Sequence, residues 1–66
     1  MYNHLIGTYD AYGYDITVRR SDINGMYQLS TMATSMGGEY RVAKQYDTFN
    51  EGTTLQDFVS YVEATK

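Results

Sequence analysis

His4 is the one imidazole in a chain of 66 residues that has no cysteine. A general base needs a partner and a pocket, and a zinc site needs further nitrogen or sulfur ligands. Asp10 and Asp15 are nearby along the chain, but their spacing matches no ligand pattern, so His4 reads as a structural or surface residue. Gly7 and Gly13, or the pair Gly37-Gly38, would suit a phosphate cradle only in a strand–glycine loop–helix context, and neither set has one. The serines and threonines lack the second histidine or lysine motif that would activate a hydroxyl. The residues therefore point to no catalytic, cofactor or metal site, and the expectation is a protein that is not an enzyme.

What remains is surface chemistry. Tyrosine occurs eight times, against two phenylalanines and no tryptophan. Strands favour tyrosine, and Tyr14, Tyr40 and Tyr46 fit the rim of a core. Tyr2, Tyr9 and Tyr12 gather at the N-terminal end, and Tyr61 stands off the apolar stripe of the C-terminal segment. Tyrosine offers rigid contact area with a hydrogen-bonding tip, so Tyr9, Tyr12 and Tyr14 form one candidate partner-binding patch. Arg19, Met32 and Arg41 form a second, because arginine beside methionine is interface-like composition.

The elements that position these residues are organised around residues 25–33, which read as the central strand of an antiparallel sheet. Asn24-Gly25 is a type I′ hairpin signal. Taken as a tight turn it pairs Ile23 with Met26, Arg20 with Leu29, Val18 with Thr31 and Ile16 with Ala33. Gly37-Gly38 is a second such signal and pairs Ser35 with Tyr40, Ala33 with Val42 and Leu29 with Tyr46. Side chains alternate between faces, so both turns place Tyr14, Ile16, Val18, Tyr27, Leu29, Ala33, Tyr40, Val42 and Tyr46 on one apolar face. The opposite face then has the rows Thr17–Met32–Ala43, Arg19–Ser30–Gln45 and Asp15–Thr34–Arg41, with Met26 and Phe49 adding apolar area.

Strands are thus expected over residues 14–21, 26–34 and 39–47. Residues 2–9 read as a fourth, edge strand, with a loose arm as the alternative. In the strand reading a loop over 10–13 sets Tyr9 opposite Tyr14 and directs Leu5, Gly7 and Tyr9 to the core. Leu55, Phe58, Val59 and Val62 recur at helical spacing. Thr54 is placed as N-cap with Asp57 at the third helical position, and Asp57 and Lys66 complement the helix dipole.

Sixty-six residues suffice for one small domain. A core of this size supplies about 3–5 kcal/mol, and small chains usually add disulfides, a metal or a partner. With no cysteine and one histidine, good local packing, self-association or a binding partner remains, and the shortage favours association. The formal charge of −3 counts against a nucleic-acid surface, and scattered acids are solvating charge rather than a mimic of nucleic acid. The first residues lack a basic, long apolar leader, and no segment reads as a membrane span. Met1 is read as the start of an intact small gene product, and the expected location is cytoplasmic.

The expected architecture is α+β: a two-layer antiparallel meander of three strands, or four with the edge strand, packed by one C-terminal helix. In size and layout it resembles the small sheet-plus-helix proteins that phages encode to inhibit host enzymes or defence nucleases, anti-CRISPR proteins among them. The resemblance implies an inhibitor or modulator of a larger protein. A homo-oligomeric accessory protein is the alternative. A binder of single-stranded nucleic acid, stacking bases on tyrosine with Arg19, Arg20 and Arg41 at phosphates, is a third.

Overall fold

The structure is a computed structural model and describes residues 3–65. Tyr2 and Lys66, assigned above to the first strand and the helix end, lie outside the described residues. Four strands follow one another, β1 (His4–Ala11), β2 (Tyr14–Arg20), β3 (Tyr27–Ser35) and β4 (Gly38–Tyr46), and the helix α1 (Thr53–Ala64) closes the chain. The sheet order is β1-β2-β3-β4, antiparallel throughout. This is the expected α+β meander, with the edge strand formed rather than the loose arm.

The turns differ from the expected ones in a consistent way. Ala11 pairs with Tyr14, so the tight turn is Tyr12-Gly13, with φ of 54° and 83°, as a type I′ turn requires. Tyr9 consequently faces Ile16, not Tyr14. Asn24-Gly25 is not a two-residue turn. The Asn24 Oδ1 accepts the Met26 N–H at 3.0 Å, a local capture typical of asparagine. The loop closes between the Ser21 N–H and the Met26 carbonyl at 2.9 Å. Val18 therefore faces Leu29, and Arg20 faces Tyr27. In the third hairpin Ser35 pairs with Gly38, which makes the loop Met36-Gly37. There the Ser35 Oγ accepts the Gly37 N–H at 3.3 Å, and Gly38 takes φ +108°. Each register is displaced by two residues from the expected one. An even displacement leaves every side chain on its own face, whereas an odd one would have inverted the sheet.

The core is therefore the expected one. Ile16, Val18, Leu29, Ala33 and Val42 from the sheet meet Leu55, Phe58, Val59 and Val62 from α1. Ile16, Val18, Leu29, Phe58 and Val62 are fully buried, each contributing about 1.5–3 kcal/mol by leaving water. Leu5 is a correction. The β1–β2 register shifts between Leu5 and Gly7, pairing Leu5 with Arg19, so this bulge turns Leu5 out of the core to 63% exposure. Phe49 is another. Strand β4 ends at Tyr46, so its alternation does not reach Phe49. The ring instead packs on the core side, 5.3 Å from Tyr9 and 6.1 Å from Tyr27.

The helix start also departs from the expected capping box. Gly52 is the N-cap, and no side chain caps the helix. Thr54 is buried inside the first turn, where its Oγ1 accepts the Asn50 N–H at 2.9 Å. Its own N–H donates to the Asn50 carbonyl at 2.9 Å, so Thr54 pins the incoming chain rather than capping the helix. Three tyrosine hydroxyls then fix α1 along its length. Tyr46 donates to Asp57 Oδ2 at 2.8 Å, Tyr14 to Glu63 Oε1 at 3.0 Å, and Tyr40 bonds with Thr65 Oγ1 at 3.2 Å.

Candidate functional site

Helix α1 covers one face of the sheet and leaves the other open. Strand pairing arranges the open face in rows: Leu5–Arg19–Gln28–Gln45, Thr8–Thr17–Ser30–Ala43, and Thr34–Glu39. These replace the expected rows, each strand having moved by two against its neighbour. Between the last two rows lie two pairs, Asp10–Asp15 and Met32–Arg41, with no ladder joining them.

That break defines the site. The β2–β3 ladder ends at Thr17–Ser30, although β2 starts at Tyr14 and β3 runs to Ser35. Beyond the last pair the strands part, and the Thr31 Oγ1 donates to the Asp15 carbonyl at 2.9 Å. A side chain thus satisfies a carbonyl that a neighbouring strand would otherwise have taken. The alternation of an antiparallel ladder directs the Met32 N–H and carbonyl into the same gap. A groove of about 410 Å³ follows the break, lined by Asp15, Thr17, Arg19, Ser30, Met32 and Arg41 among others.

The six residues singled out in the sequence divide between the two faces of the sheet and the β1–β2 turn. Arg19, Met32 and Arg41 come together along this groove, and Tyr14 touches its end. The Tyr14 hydroxyl, however, reaches the helix at Glu63. Tyr9 packs against Phe49 beside the core. The expected tyrosine patch is therefore not one surface. Tyr12 alone of the three projects outward, 69% exposed, in the turn whose Gly13 lines the groove.

The electrostatics separate the two faces. Arg19 and Arg41 form no ion pair among the described residues, while Met32, between them, is half exposed. The groove thus brings together two guanidinium groups that form no ion pair, the hydroxyls of Thr17 and the buried Ser30, and the carboxylate of Asp15 at the ladder break. On the helix side the charges are satisfied. The Lys44 Nζ lies 3.5 Å from Asp57 Oδ2 and about 5 Å from the ring centres of Tyr46 and Tyr61. The Tyr46 hydroxyl and then Lys44 hold Asp57 below the usual carboxylate range. Burial, reinforced by Asp57, pushes Tyr46 well above the usual phenol range.

The ladder break was not readable from sequence, since turn and alternation rules assume that a ladder continues. Nor was the backbone of Tyr12 foreseen, because Tyr-Gly is a weaker turn signal than Asn-Gly or Gly-Gly. Among the described residues no group of three or more His, Asp or Glu side chains is placed to hold a metal ion. No helix among them is long and apolar enough to cross a membrane. Comparison of the chain with protein-family models, curated proteins and solved structures finds no match.

Proposed function

We propose that this chain is a non-enzymatic protein-binding module that inhibits or modulates a larger protein. It docks through the open sheet face, with Arg19, Met32 and Arg41 along the groove and Tyr12 at its rim. The observation that carries this reading is Tyr12. A non-glycine residue in the left-handed region costs about 1–2 kcal/mol, and β-strand tips normally use asparagine, aspartate or glycine there. Tyr12 sits at φ 54°, and among the described residues its side chain makes no hydrogen bond or ring contact. Strain retained without an internal return is characteristic of functional positions.

The groove chemistry supports a partner that presents carboxylates. Arg19 and Arg41, neither in an ion pair, line the groove with Met32 on a chain whose net charge is −3, and arginine with aromatic side chains dominates binding energy at protein interfaces. An acidic, partly apolar segment of a folded protein satisfies both the guanidinium groups and Met32.

The test is a tagged pull-down from source-cell lysate, with and without nuclease, repeated with Arg19→Glu and Tyr12→Asn. The reading requires a stoichiometric protein partner that survives nuclease and is weakened roughly tenfold or more by Arg19→Glu, with circular dichroism unchanged. Binding that disappears with nuclease and falls steeply with salt would replace it with nucleic-acid recognition. A protein partner indifferent to both substitutions would remove the groove from the interface.

A further inference from the structure

The two edges of the sheet are built differently. The β1 edge is interrupted by the shift between Leu5 and Gly7, a device that blunts strand edges. Strand β4 pairs with β3 in unbroken register over nine residues. The hairpin closes at Ser35–Gly38, so the ladder to β3 uses the backbone of Gly38, Tyr40, Val42, Lys44 and Tyr46. The N–H and carbonyl groups of Glu39, Arg41, Ala43 and Gln45 then point outward along the free edge. Lysine commonly guards such edges, but Lys44 is drawn to the helix side by Asp57 and two tyrosine rings. No proline occurs in the chain.

We infer that the β4 edge pairs antiparallel with the β4 edge of a second copy, about a twofold axis at Tyr40. Charge selects both the occupant and the register. Glu39 and Arg41 lie two residues apart on the open face, and neither forms an ion pair among the described residues. Centred on Tyr40, the pairing sets Glu39 of each copy opposite Arg41 of the other, twice over. Centring on Glu39 or on Arg41 sets like charges against each other, which is destabilising, and centring on Val42, which pairs the whole of β4, leaves Glu39 opposite Gln45 and Arg41 opposite Ala43 with no ion pair. Tyr40 then meets its own counterpart in a close, non-hydrogen-bonded pair, where aromatic contacts are favourable. The contact is self-complementary, as a twofold interface must be. Directly paired residues share a face, so both helices lie on one side of an eight-stranded sheet and both grooves open on the other. Arg41 is the residue shared between groove and seam.

Light scattering and sedimentation of the purified chain test this without any other protein, so the outcome is independent of the binding role proposed above. The chain is expected at twice its 7.6 kDa mass at micromolar concentration. Glu39→Arg should weaken the dimer roughly tenfold or more. The exchange Glu39→Arg with Arg41→Glu should restore it, which also shows that the edge folds with either charge order. A chain that stays monomeric to millimolar concentration overturns the inference. So does a dimer that Glu39→Arg leaves intact, including one that only Met32→Glu dissociates.

Discussion

The Tyr46 hydroxyl donates to the carboxylate of Asp57 at 2.8 Å, joining the last residue of β4 to the second turn of α1. The two groups shift in opposite directions, and both shifts stabilise the folded chain. Asp57 lies below its ordinary 3.8 when folded, so its contribution is present above that pH and is lost as pH falls through the lowered value. Tyr46 lies above its ordinary 10.0, so its contribution is complete below pH 10 and is lost as pH rises through the raised value.

Tyr46→Phe should accordingly lower the urea midpoint at neutral pH by a modest amount, with the m-value unchanged. The difference from the parent chain should shrink once acid protonates Asp57. A deficit that is equal at neutral and strongly acid pH would show that the phenol matters only through packing.

Tyr12→Asn should raise stability by about 1 kcal/mol, because asparagine tolerates the left-handed region that tyrosine occupies under strain. Thermal unfolding reads this directly. If the same substitution weakens capture of the partner, stability and binding oppose each other at one residue, as a functional strain predicts.

Thr31→Val keeps the shape of a residue that is 5% exposed and removes its bond to the Asp15 carbonyl. The expected loss is about 1–2 kcal/mol, the cost of an unsatisfied acceptor. Amide exchange should also quicken in residues 14–17, where β2 leaves β3. Unchanged exchange there would mean that the break is held open by something other than this bond.

Phe58→Ala removes the largest fully buried side chain. Large-to-small changes of this kind cost about 3–5 kcal/mol, comparable to the whole stability of a chain this short. Circular dichroism should show it largely unfolded at 25 °C. Phe58→Leu should remain folded with a lower melting temperature.

Most of the fold was legible because face assignment depends on parity rather than on register. Two misplaced turns, at Asn24-Gly25 and Gly37-Gly38, still sorted Ile16, Val18, Leu29, Ala33 and Val42 inward, since each register moved by an even number. The same rules failed where parity breaks. Leu5 lies before a bulge, and Phe49 lies beyond the end of a strand. The site was legible in part. Arg19, Met32 and Arg41 share a face by alternation alone, and the groove between them exists because β2 and β3 separate. A side-chain bond between residues 16 apart in sequence accompanies that separation, and no local pattern encodes it.

The sheet order equals the chain order, so each strand closes against the one synthesised just before it. Short loops close at little entropic expense, and rates rise as contacts become more local. The meander can therefore assemble hairpin by hairpin, before the helix exists. Helix docking is the one distant event, sealed by Tyr14 and Glu63 across 49 residues. Truncation before Thr53 should leave a transiently paired sheet with its apolar face bare, and stopped-flow refolding of the whole chain should show the α1 contacts forming last. On a translating ribosome the apolar face of the sheet would stay bare until α1 had cleared the exit tunnel.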